Sequence, residues 1–202
     1  MTLAQEINGR LRKAPAWPIY IVFTLPGLWW FYLGATGGLG AEPIKALEHA
    51  YGKFALQLLI AGLLVTPLRA YAGVNLLKFR RAIGLMAFFY VLAHLLVWLV
   101  LDVQAIDRIW ADIVKRPYIT VGMMGFALLL PLAVTSNDRV IRRMGGMAWR
   151  KLHRLVYPAV ILGGLHYVML VKGWQLEPLI YLAAILTILA VRIRWKQRFL
   201  PA

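Results

Sequence analysis

Long apolar runs alternate along this chain with short polar blocks rich in arginine and lysine. A helix rises about 1.5 Å per residue, so a hydrocarbon core of about 30 Å takes roughly 17–25 apolar residues to cross. Six runs reach or approach that length. They predict helices over about 17–37, 47–69, 82–101, 117–136, 152–171 and 174–194. The second run is short when counted from Lys53 to Arg69, but charged side chains at its ends can snorkel to the interface. The first run follows Arg10, Arg12 and Lys13 and ends in Gly34-Ala35-Thr36-Gly37, where a signal peptide could be cut. Its length and the lack of an A-x-A site predict a retained anchor instead. No internal repeat and no stretch long enough for a soluble domain is left over. Residues 1–202 therefore read as one all-α transmembrane domain, a six-helix bundle with short loops in the lipid bilayer.

The basic residues fall on alternate loops. Seventeen of the 23 lie in the blocks Arg10–Lys13, Arg69–Arg81, Arg139–Arg154 and Arg192–Arg198. Lys45, Lys53, Arg108, Lys115, Arg116 and Lys172 share the opposite loops with Glu42, Glu48, Asp102, Asp107, Asp112 and Glu177. Cytoplasmic loops carry the excess of Lys and Arg, which predicts both termini in the cytoplasm. The formal net charge of +15 does not signal nucleic acid, because the basic residues punctuate apolar runs rather than cover a polar surface. There is no cysteine. Disulfides, thiolate zinc sites, Cys-held iron–sulfur clusters and covalent C-x-x-C-H haem are thereby excluded.

An ionisable residue inside a membrane needs a partner. The six runs are read as holding no carboxylate, which argues against a proton or cation carrier, but they do hold histidines. His94 lies thirteen residues beyond Arg81 on the third predicted helix, and His166 lies thirteen beyond His153 on the fifth. Both helices start from the cytoplasmic side, so His94 and His166 are expected at one depth, about 20 Å along. Two neutral imidazoles at matched depth suit a six-coordinate haem iron, with each Nε2 on the metal and each Nδ1–H held by a carbonyl or water. Ala93, Gly163 and Gly164 are small enough to leave room for a flat macrocycle. His153 is expected at the cytoplasmic end, where the positions facing it on the third helix are Arg80 and Arg81 rather than histidine. It could take a second haem with another ligand, stand beside a flavin whose phosphate pairs with those arginines, or be an interfacial residue near the lipid headgroups. On an ideal helix His153 and His166 point about 140° apart, which predicts a distortion at Pro158 or at Gly163-Gly164. His49 precedes the second run on the outer side and reads as a surface residue, a haem-propionate contact or a spare haem ligand. The tryptophans Trp29, Trp30, Trp110, Trp149, Trp174 and Trp195 read as aromatic-belt anchors, and Met86, Met123 and Met124 as packing.

The segments GGLGAEPIKALEHAYG, TPLR, RRAIGLMAFFYVLAH, RPYITVGMMG and WRKLHRLVYPAVILGGLHY resemble one family. It is the MsrQ, or YedZ, family of haem-binding membrane subunits of bacterial periplasmic methionine-sulfoxide reductases, itself similar to ferric-reductase and NADPH-oxidase transmembrane domains. The resemblance covers nearly the whole chain. It implies a multi-pass protein of the inner membrane that passes electrons through one or two b-type haems, with FMN as an associated cofactor. Their destination would be a periplasmic molybdopterin reductase, MsrP, that repairs oxidised methionines. The donor would be the quinol pool or a cytoplasmic flavin reductase, and the chain would carry electrons rather than catalyse sulfoxide reduction. His94, His153 and His166 occupy the positions of that family's haem-associated histidines. Arg80-Arg81 stands where oxidases of the wider group place a fourth histidine. Two other functions fit the residues alone: a stand-alone ferric or quinone oxidoreductase, and a transporter or scaffold without a redox cofactor.

Overall fold

The computed structural model describes residues 2–171 and 175–198, except for the side chains of Ile106 and of the residues after Arg192. Lys172 and Trp174 lie outside the described residues, as do the side chains of Arg194, Trp195, Lys196 and Arg198. All regular structure among the described residues is helical. Helices α2 (Pro18–Ala35), α3 (Pro43–Tyr71), α4 (Arg80–Leu96), α6 (Pro117–Val134), α9 (Val156–Leu170) and α10 (Leu176–Arg198) form the bundle. A short helix α1 (Leu3–Lys13) precedes α2, and short helices α5 (Ile106–Lys115), α7 (Asp138–Met144) and α8 (Gly146–Leu152) lie in the connections. Four stretches among the described residues are long and apolar enough to cross a membrane: Pro18–Ala35, Pro43–Tyr71, Leu77–Val103 and Pro117–Val134.

Two helix hairpins, α3 with α4 and α6 with α9, make the centre of the bundle. The core between them is built from Leu56, Leu59, Leu63, Met86, Ala87, Leu129, Leu132, Ala159 and Val160. On the outside, α10 covers α9 and α3, while α2 lies against α3 and α4. Gly164 admits α10, since a Cβ there would stand 3.0 Å from Ile185 and 3.1 Å from Leu182. Gly163 faces Leu56 of α3 in the same way. These two glycines therefore serve helix packing, where the sequence suggested room for a cofactor.

Several helix ends depart from the hydropathy pattern. Pro43 at the first turn of α3 sets its start, because the missing N–H would have no intrahelical partner there. That start brings Glu48 inside a spanning helix, so the run holds a carboxylate after all. After Leu96 the helix widens into a π-helical stretch, Val97–Val103, which closes on Gln104 at φ 62°. Ahead of α9, a 3₁₀ turn over His153–Leu155 interrupts the helix. Such a turn advances about 120° per residue, so three residues cut the His153–His166 angle from about 140° to about 80°. The distortion thus lies at His153 itself, not at Pro158 or Gly163-Gly164. Pro158 occupies the first turn of α9, where its lacking N–H breaks no bond.

Helix α1 carries a Thr2/Gln5 capping box and is tied to the α3–α4 connection by Asn8, which donates to the Gly73 carbonyl and accepts from the Asn75 N–H. Lys78 donates to the carbonyls of Arg12 and Ala14. At the opposite end of the bundle, α5 packs Ile109 and Ile113 against Trp98, Val103 and Ile119 and leaves Trp110 and Val114 exposed. A charged cleft of about 290 Å³, lined by Asp102, Arg108, Asp112, Lys115 and Arg116, opens beside it.

Two tyrosine hydroxyls fasten α2. Tyr51 donates to the Gly27 carbonyl at 2.9 Å and Tyr90 to the Phe23 carbonyl at 2.5 Å. Trp30 closes an aromatic cluster with Phe54, Tyr51 and Tyr90, so it faces inward, whereas Trp29 stays exposed as a belt residue would. Tyr90→Phe is expected to cost about 1 kcal/mol, the worth of one interhelical hydrogen bond in a membrane bundle. Gly27→Val is expected to cost more, because its Cβ would stand 2.8 Å from the Tyr90 hydroxyl. Unfolding titrations in mixed micelles check both.

Candidate metal centre

His94 sits in the last turn of α4 and His166 in the last third of α9, and the two rings meet across the bundle. Their centroids are 6.1 Å apart and their planes stand at 78°. Each ring is held by the neighbouring hairpin helix. His94 Nδ1 lies 2.9 Å from the Glu48 carbonyl of α3, and His166 Nδ1 lies 2.7 Å from the Tyr118 carbonyl of α6. A carbonyl only accepts, so both Nδ1 atoms carry the proton and both Nε2 atoms keep a free lone pair. That is the tautomer a metal-binding imidazole requires.

The two halves repeat one device. Four residues after each acceptor carbonyl comes a glycine: Gly52 after Glu48, and Gly122 after Tyr118. A Cβ on Gly52 would lie 3.0 Å from His94 Nδ1, and one on Gly122 would lie 2.8 Å from His166 Nδ1. Each imidazole therefore lies flush on a helix backbone that only glycine leaves bare. Sequence reading missed both glycines, although their matched offsets from Glu48 and Tyr118 were visible once the acceptors are known.

Metal–imidazole bonds of about 2 Å on both sides of one ion put the ring centroids about 6.3 Å apart, close to the spacing seen. Among the described residues no group of three or more His, Asp or Glu could hold a metal ion. A metal seated between His94 and His166 must then bring its remaining ligands with it, as the iron of a porphyrin does.

His153 lies apart, about 20 Å away along the helix axis. Its Nδ1–H donates to the Trp149 carbonyl at 3.0 Å, its ring stacks on Trp149 at 3.7 Å, and its Nε2 is 3.3 Å from Ser136 Oγ. Trp149 in turn donates from Nε1 to the Thr135 carbonyl, so it is a packing partner of His153 rather than a belt anchor. Arg80 is near enough for its charge to act on the His153 ring. Arg81 is instead engaged with Asp138 of α7 at 2.5 Å. His49 is exposed, one residue beyond Glu48. At the same end, Lys53 pairs with Glu177 and Gln57 donates to the Tyr181 hydroxyl at 2.6 Å, joining α3 to α10.

Residues 48–164 match the family model described as the ferric reductase like transmembrane component, a span that starts at Glu48 and includes His94 and His153. The chain is 51% identical over 189 residues to the protein-methionine-sulfoxide reductase heme-binding subunit MsrQ of Agrobacterium fabrum, covering 93% of this chain and 87% of that protein. It is 46% identical over 198 residues to the same subunit of Brucella ovis, covering 95% and 90%. On this likeness, and on its all-helical membrane architecture, the chain belongs to the MsrQ family of heme-binding subunits within the ferric-reductase-like transmembrane proteins.

Proposed function

We propose that this protein carries electrons across the bacterial inner membrane to a periplasmic molybdopterin methionine-sulfoxide reductase, MsrP, which repairs oxidised envelope proteins. The observation that carries this reading is the His94–His166 pair, with both Nδ1 protons committed to carbonyls and both Nε2 lone pairs left for one metal. His94 and His166 would hold a b-type haem, which when bound supplies one-electron oxidation and reduction at its iron. Glu48 and Tyr118 hold the Nδ1 protons, fix the ring orientations and raise the basicity of the ligating nitrogens. All six bundle helices span, α9 and α10 included, with both termini in the cytoplasm. The clustering of Arg12, Lys13, Arg69, Arg80, Arg81, Arg142 and Arg150 at the end away from the His pair supports that orientation. The pair then lies towards the periplasmic acceptor.

His153 marks a second site near the cytoplasmic face, which would hold haem b or FMN, with the quinol pool or a cytoplasmic flavin reductase as the electron donor. Trp149 stacks the ring and Arg80 supplies positive charge beside it. Arg81 shapes this end through its ion pair with Asp138, and His49, exposed beside Glu48, would hold a propionate of the outer haem. Reduction of a ferric chelate without the periplasmic partner is the second reading, which the ferric-reductase-like match favours.

Purified protein is expected to show a b-type absorption spectrum that His94→Ala or His166→Ala abolishes at the outer site. Folded, colourless protein from haem-sufficient cells would refute the haem assignment. Gly122→Ala forces a methyl against an imidazole fixed at both nitrogens, so the Fe–His166 bond should weaken. The expected sign is a ferrous form that binds carbon monoxide, at least tenfold more readily than the parent, read by difference spectroscopy. His153→Ala should leave the outer haem spectrum unchanged and lower the content of the second cofactor, measured by pyridine haemochrome and by flavin released with acid.

A further inference from the structure

Arg192, on α10, reaches into the bundle rather than out of it. Its Nη2 donates to Thr66 Oγ1 of α3 at 2.6 Å, and its guanidinium lies 5.3 Å from the centre of the Tyr157 ring of α9. Its Nη1 is buried and has no hydrogen-bond partner. The charge of Arg80 acts on this guanidinium and on His153 alike, so the three groups share one region at the basic end of the bundle. Carboxylates at that end are scarce. Among the described residues only Glu6 and Asp138 lie there, and these are engaged with Arg10 and Arg81. Among the described residues neither Arg80 nor Arg192 has an ion pair.

A guanidinium stays charged at any physiological pH, so burial cannot neutralise it as it can a lysine. Buried charge persists only when it is paired and its donors are satisfied. Two half-buried guanidinium groups of like sign, one with an orphaned buried donor, call for a counter-charge, and the described residues supply none. We propose that Arg192 and Arg80 form a binding site for one anionic group, a phosphate or a carboxylate, carried by a molecule other than the polypeptide and seated beside His153. The fork of Arg192 suits either oxyanion. Thr66 and Tyr157 hold that fork in place and aim Nη1 at the ligand. The inference rests on the reading of a second site at His153, which it deepens by adding Arg192, and does not depend on haem at the His94–His166 pair.

The test compares wild-type protein with Arg192→Gln and Arg80→Gln, purified in mild detergent, by native mass spectrometry. The wild type is expected to retain one anionic molecule whose mass names its source: a phospholipid, a porphyrin beyond that of the outer pair, or a flavin phosphate. Arg192→Gln should retain it at least tenfold less often, with the outer-haem absorbance per protein unchanged. Arg80→Gln, which removes a charge without opening the core, should show the same loss if Arg192→Gln fails to fold. A wild type that retains no such molecule, or variants that retain it equally, would overturn the proposal. Loss of the outer haem in His94→Ala with the anionic molecule still bound would break the haem reading alone and leave this site standing.

Discussion

The His94–His166 pair depends on two backbone carbonyls, those of Glu48 and Tyr118. In a helix every carbonyl already accepts a hydrogen bond from four residues on, but it keeps a second lone pair. A side chain can use that lone pair only if nothing stands over it, and the residue four positions later is the one whose Cβ would. At Gly52 and Gly122 there is no Cβ. The absence of two methyl groups therefore lets each imidazole settle on its neighbour helix and lets α3 approach α4, and α6 approach α9, closely at the rings.

Much of this was legible in the sequence, for a physical reason. Hydropathy reports which segments avoid water, and the matched spacing of His94 and His166 from basic loops reports depth, because rise per residue is nearly constant. The joining of these two rings follows from that arithmetic. Rotation about the helix axis is less forgiving, since one tightened turn moves it by tens of degrees. The 3₁₀ turn at His153–Leu155 lies where no proline or glycine announces it. Glycines were equally ambiguous: Gly163 and Gly164 sit beside His166 in sequence yet face α3 and α10, while Gly52 and Gly122 are remote in sequence and touch the rings.

Short amphipathic helices escaped the reading as well. The stretch containing Asp107, Arg108, Asp112 and Lys115 looks like a polar loop when only long apolar runs are counted, although Ile109 and Ile113 lie one turn apart and bury together in α5. Arg192 shows a third kind of blindness. As one of many basic residues after the last apolar run it reads as a cytoplasmic anchor, and nothing in its neighbours reveals that it turns inward to Thr66.

The repeated device has a consequence for how the molecule comes into being. Hairpin α3–α4 contains everything needed to seat His94, since ring, carbonyl and glycine all lie between Glu48 and His94. The seat of His166 needs α6 and α9, which follow much later in the chain. Each half can thus take shape as its own segment leaves the ribosome, and the first stands ready, with one nitrogen exposed, while the second is still being made. The meeting of the two rings is the last event in assembling the centre, and synthesis that stops before α9 yields a half-site with only one of its two ring nitrogens.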